Sequence, residues 1–288
     1  MLDSAFKSDY IFLVVKPIID IANFVLPVCY TLTVWSYAKA FFSDSLLHKK
    51  LNTPFLLVTA LGHISYLLAR TWQFGHPPIT TIPEIMTLIA FSITAAYIVI
   101  EYRTGVKNTG YFIMILAFLF QLGASLFIQD LVVVNPVLRS NLLGIHVLSA
   151  LLGYTAIAIS AVYALLYLML YHNMKSSRFG AIYSKLPNLE TLERLSFVSI
   201  ALGFVLLSIA IVVGFIWLPK AFGDFSYFDP KLIGTITIWV LYAVGLFTKK
   251  TLGWQGRRMM LLSIAGFLIS FFSLTIVNVF FSGFHNFF

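Results

Sequence analysis

Charge is scarce in this chain: only 10% of its 288 residues are Asp, Glu, Lys or Arg, against about 25% in an ordinary soluble domain. With 60% of the residues hydrophobic, no soluble fold buries so much apolar surface, and lipid must cover part of it. Cysteine is nearly absent. Cys29 stands alone inside an apolar run, which excludes an intrachain disulfide and dithiol exchange through a CxxC pair. Acidic residues are outnumbered 11 to 19, for a net charge of +8. The surplus does not point to nucleic acid, because the cations sit in short loops between apolar runs, where they determine topology. Residues 1–10 carry Asp3, Lys7 and Asp9 and no small-residue cleavage site, so no cleaved signal peptide is expected. No internal repeat is visible, and no gap between apolar runs has room for a soluble domain.

What is present is a series of apolar stretches, each near the 20 residues that span a bilayer. They run over 17–42, 52–72, 84–101, 110–129, 141–171, 195–218, 232–248 and 259–281. The expected fold is all-α: a polytopic membrane protein of eight transmembrane helices, with 1–288 as a single membrane domain. The fifth stretch exceeds what a bilayer needs, so it should tilt or project. Loops after helices 1, 3, 5 and 7 hold 13 of the basic residues, and the opposite side holds 6, namely Lys7, Lys16, Arg70, Arg139, Lys220 and Lys231. The richer side belongs in the cytoplasm, which puts both termini outside. The run 184–194 in the longest cytoplasmic loop suggests a short interfacial helix.

The six histidines sort by this topology. His48 and His172 fall at cytoplasmic helix ends, as interfacial polar caps. His63 lies within the second helix, where an ionisable group is either functional or a neutral imidazole bonded to a neighbouring helix. His76, His146 and His285 fall on the outside. There too lies the loop from Trp217 to Lys231, with Trp217, Phe222, Phe225, Tyr227 and Phe228 within a dozen residues. Such a cluster suits an aromatic belt at the headgroups or a shelf for a flat apolar ligand. Two outer histidines beside such a shelf would suit haem. On composition alone, both readings stay open.

The order of landmarks resembles the cytochrome c assembly family of haem-handling membrane proteins, the CcsA, CcmC and HemX type. The resemblance runs over 60–288. Arg70-Thr-Trp-Gln-Phe-Gly-His-Pro-Pro-Ile with Glu84 is similar to the family's Arg-Trp, Gly-His-x-Pro and Glu segment. Gly144-Ile-His146-Val and Gly153-Tyr154 resemble its outer histidine helix. Gly214-Phe-Ile-Trp217 through Asp229-Pro230-Lys231 resembles its tryptophan-rich loop. Ile238-Trp239-Val-Leu-Tyr242 and Gly253-Trp254-Gln-Gly256-Arg257 resemble the next two landmarks, and Asn278 with His285 the closing pair. The departures are specific. The loop's tryptophans are gone, with aromatic rings, Phe222 and Phe228, at two of the three places, while Asp229-Pro230-Lys231 survives. Phe247 aligns with a histidine that synthetase members place within the membrane. These losses point toward the shorter HemX-like branch.

The resemblance implies a non-covalent b-type haem held at the outer face of a cell (inner or plasma) membrane. His146 and His285 would be the axial metal ligands, with Trp217, Phe222, Phe225, Phe228 and Asp229 lining the cofactor. Bis-His ligation leaves no open iron position for oxygen chemistry, so no catalytic residue is assigned. Arg70, Arg139, Lys220 and Lys231 are cations on the side where propionates would lie. The implied partners are membrane lipid and either a cytochrome c maturation protein carrying a CxxCH acceptor or, for a HemX-like regulator, glutamyl-tRNA reductase on the cytoplasmic side; no nucleic acid is implied. Two other readings compete. A small-solute transporter would show interrupted helices and mid-membrane charges, whereas Glu84 and Glu101 lie at helix ends and Gln121 is uncharged. A metal-dependent enzyme would need His76, His146, His285 and Asp229 to converge.

Overall fold

The computed structural model describes residues 2–130, 141–221, 228 and 230–273, with the side chains of 2–14, 141, 220, 221, 230 and 231 excepted. Every element among them is helical: α1 (Leu2–Phe42), α2 (Leu46–Phe74), α3 (Ile82–Thr104), α4 (Gly110–Phe127), α5 (Asn141–Lys175), α6 (Ala181–Lys185), α7 (Leu189–Ala221), α8 (Pro230–Thr251) and α9 (Arg257–Phe272). Helices satisfy every backbone polar group internally, which a lipid-covered segment requires. Seven segments are long and apolar enough to cross a bilayer: Val15–Phe42, Leu46–Phe74, Ile82–Thr104, Gly110–Phe127, Leu142–Lys175, Leu189–Pro219 and Leu232–Thr251. The eighth expected span, 259–281, begins in α9, which is described over 16 residues; its remainder lies outside the described residues.

Helix ends follow local chemistry. Thr81 caps α3 and forms a reciprocal capping box with Glu84, so two orphan amides are satisfied at that end. Gly75 and Gly105 close α2 and α3 with φ of 69° and 67°, a conformation that L side chains resist. The run 184–194 divides instead of forming one interfacial helix. Ser184 and Lys185 end α6, Leu186-Pro187-Asn188 breaks the chain, and 189–194 are the first turns of α7. The Asn188 side chain accepts the Thr191 amide proton at 2.9 Å, an N-cap contact.

The chain divides into two compact units, Met1–Val134 and Asn135–Phe288. In the first, α1 packs on α2 and α4, and α3 packs on α2 and α4. Ile19, Leu26, Tyr66, Leu67 and Phe74 form one of its apolar clusters. In the second, α5 packs on α7 and α9, and α8 on α7 and α9. Its cluster is Ile157, Ile200, Leu207, Ile238 and Tyr242. The seam between α5 and α7 is close because small residues face each other: a methyl added at Gly203 would lie 3.1 Å from the Gly153 carbonyl oxygen. Backbones draw together in this way where helices lack a hydrophobic drive to associate.

Candidate functional site

His146 lies in the second turn of α5, and α7 passes its ring. His146 Nδ1 is 2.8 Å from the carbonyl oxygen of Ala210. A carbonyl only accepts, so Nδ1 carries the proton and the ring lone pair belongs to Nε2. Gly214, one turn beyond Ala210, makes room for the ring: a Cβ there would stand 2.9 Å from His146 Cε1 and 3.1 Å from Nδ1. Trp217 follows on the same helix and is buried, 6% exposed. Deeper in the second unit, the Trp239 indole donates to Ser208 Oγ at 2.7 Å and stacks on Phe204 with centroids 5.1 Å apart. Tyr154 and Thr235 hydroxyls face each other at 3.4 Å.

The remaining site candidates divide in two. Phe228 is described and is 85% exposed. His285, Phe222, Phe225 and Asp229 lie outside the described residues, as do Asn278 and Arg139. Phe247, the position aligned with a membrane histidine, is 65% exposed on α8. Among the described residues, no group of three or more His, Cys, Asp or Glu converges as a metal site.

The other histidines are placed by their neighbours. His63 is fully buried in the first unit. Its Nδ1 meets the Tyr30 hydroxyl at 2.8 Å and its Nε2 meets Thr87 Oγ1 at 2.9 Å. Thr87 donates onward to Gln121 at 2.7 Å. Of the two readings of His63, this geometry is that of an imidazole bonded to neighbouring helices, here α1 and α3. His48 sits in the first turn of α2, not at the end of α1, with Nδ1 2.8 Å from Ser45 Oγ. His172 is in the last turn of α5. His76 is buried between α2 and α3, with Nδ1 donating to the Pro77 carbonyl at 3.0 Å.

Arg70, considered above as a propionate contact, is committed elsewhere. It is 2% exposed and bridges Glu84 (1% exposed) and Asp130, each at 3.1 Å, and also donates to the Gln129 carbonyl at 3.0 Å. Glu84 accepts from Thr80 N at 2.9 Å and Thr80 Oγ1 at 2.6 Å. Sequence reasoning missed three features: this buried ionic cluster, the Ala210 carbonyl and the Gly214 slot. The first had a signal, since Arg70 and Glu84 both stand at helix ends next to the Gly75–Thr81 turn. The Ala210 contact had none, since a backbone acceptor 64 residues away leaves no side-chain signature.

Helices with broad apolar exposed faces, joined by short basic turns, define a polytopic α-helical membrane protein. Residues 79–285 match the family model described as "Cytochrome C assembly protein". This chain belongs to that family. It is 27% identical over 267 residues to the "Cytochrome c biogenesis protein CcsA" of Guillardia theta, covering 84% of this chain and 89% of that protein. It is 28% identical over 266 residues to the protein of the same name from Prochlorococcus marinus (strain NATL1A), covering 81% and 84%. The corresponding Chlamydomonas reinhardtii protein is 29% identical over 240 residues, covering 80% and 66%. The expected leaning toward a HemX-like branch finds no support, because these relatives carry the CcsA name and match 80–84% of this chain.

Proposed function

We propose that this chain holds haem at the outer membrane face for cytochrome c maturation, with His146 and His285 as the iron ligands. The observation that carries the reading is the Nδ1 bond from His146 to the Ala210 carbonyl. Histidines that bind metal through one nitrogen commonly donate the other ring N–H to a backbone carbonyl or carboxylate, which fixes tautomer and orientation. The family match extends to residue 285, so it takes in the second ligand. The relatives' shared name supports the maturation role, with a partner bringing the acceptor cytochrome. Held by two histidines, haem would supply an iron suited to being carried, not to activating oxygen.

The residues have separate tasks in this reading. His146 presents Nε2 from a ring fixed on α7. Trp217 closes the packed end of α7 below the loop. Phe222, Phe225 and Phe228 would shield the macrocycle. The site sits on the outer face of a cell membrane crossed eight times, with both termini outside. The 13-to-6 division of cations supports that orientation. Glu193 near the start of α7 binds Lys249 near the end of α8 at 3.1 Å, so those two helix ends share one side. A C-terminal reporter that works only in the cytoplasm is expected to be silent, and strong activity would remove the outer-face placement.

The ligand reading is tested by the absorption spectrum of purified protein. Wild type should show an intense low-spin, six-coordinate Soret band. His146→Ala and His285→Ala should each give a five-coordinate form or lose haem, while His48→Ala and His172→Ala keep the wild-type spectrum. No Soret band after haem supplementation sinks the proposal.

A further inference from the structure

We infer that Gly214 and the Ala210 carbonyl act together as a positioning pair that sets the tautomer and ring plane of His146. The functional weight of the pair rests on the reading of His146 as an iron ligand; its geometry does not. Ala210 and Gly214 are one turn apart on α7, so the Ala210 carbonyl already lies in the helical ladder. It has a second lone pair, and His146 Nδ1–H reaches it at 2.8 Å. Helical side chains lean toward the N-terminus, over the preceding turn. A side chain at 214 would therefore cover the carbonyl of 210. Glycine at 214 leaves that carbonyl open from the side.

The fit is tight. A Cβ at 214 would fall 2.9 Å from Cε1 and 3.1 Å from Nδ1 of His146, the first closer than carbon contacts allow and the second tight. The neighbour that would have to give way is a rigid ring already tied by a hydrogen bond, not the end of a flexible chain. Alanine at 214 thus forces the ring off the carbonyl, with loss of the Nδ1–H constraint. The same helix supplies a control. A Cβ at Gly203 meets the Gly153 carbonyl oxygen at 3.1 Å in the same α5–α7 seam, about three turns from Gly214 along α7. Gly203→Ala therefore disturbs the packing of the two helices to a similar degree without touching the imidazole.

Substitutions of groups that orient a metal ligand commonly lower metal affinity on the order of 10–100-fold. The experiment uses histidine labelled with ¹⁵N in the full chain, in lipid nanodiscs without haem, with the His146 signal assigned by its loss in His146→Ala. Wild type and Gly203→Ala should both show His146 as the Nδ1–H tautomer, and Gly214→Ala should show a mixture or the other tautomer. With haem added, Gly214→Ala should release it on the order of 10–100-fold faster than Gly203→Ala. An Nε2–H tautomer in wild type overturns the pair without any variant. Equal haem release from the two glycine variants overturns it as well, leaving only helix packing. A tautomer change in Gly214→Ala, combined with haem retention indifferent to His146→Ala, upholds the pair and removes the ligand reading instead.

Discussion

The two units of this chain hold a histidine in opposite ways. In the first, His63 gives both ring nitrogens to hydroxyls of Tyr30 and Thr87, inside an interior that also buries the Arg70–Glu84 pair. In the second, His146 gives Nδ1 to a backbone carbonyl across a glycine slot. Elsewhere in that unit polar contacts include hydroxyls: Ser160, at the crossing of α5, α7 and α9, meets Ser196 and Ser263 hydroxyls at 2.9 and 2.7 Å. Bonding both nitrogens to protein makes an imidazole part of the helix packing. A carbonyl partner at Nδ1 fixes the tautomer and ring plane, an arrangement common among metal-binding histidines. The first unit thus reads as a polar-stapled bundle, and the second as the unit that holds the proposed ligand His146.

That contrast can be broken by mutation. The largest effect on stability belongs to the first unit. Arg70→Ala leaves Glu84 and part of Asp130 uncompensated in a buried site, a loss of about 3–5 kcal/mol. Denaturation in detergent should show it, while folded protein that remains keeps its haem spectrum. His63→Ala comes next. It removes two buried hydrogen bonds at about 0.5–1.5 kcal/mol each, while the Tyr30 and Thr87 hydroxyls keep Thr94 and Gln121, again with no spectral change; haem loss in His63→Ala at unchanged stability would reverse the assignment of the two units. Ser160→Ala in the second unit should cost about 0.6 kcal/mol, the average for a hydrogen bond between membrane helices, and should leave the spectrum alone. Phe228→Ala has the smallest effect on stability, because the ring is exposed. It should quicken haem release without impairing insertion, and full haem occupancy in the triple Ala variant of Phe222, Phe225 and Phe228 would make the loop an ordinary aromatic belt.

Much of the fold was legible because lipid demands length and apolarity. The expected stretch 110–129 is α4, Gly110–Phe127, and 232–248 is most of α8. The errors fall where helices continue past their apolar part. The stretch expected from 52 is helical from Leu46, through His48, Lys49 and Lys50, and the one expected from 195 is helical from Leu189, through Glu190, Glu193 and Arg194. Backbone hydrogen bonds persist into the interface, where polar side chains meet water and an apolarity count stops. His146 was legible only through ordered landmarks. Its partner was not, because the contact depends on how α5 and α7 cross. Arg70 was read only as a cation on the outer side: Glu84 offered a signal across the adjacent turn, but nothing along the chain announces Asp130.

The most direct measurement is the spectrum of the His146→Ala, His285→Ala double variant, purified from membranes supplied with haem beside wild type. Paired ligation predicts that the low-spin six-coordinate bands vanish while the protein inserts and melts like wild type. A low-spin spectrum indistinguishable from wild type would contradict it, and would place the iron on other ligands, with His76 the first to replace.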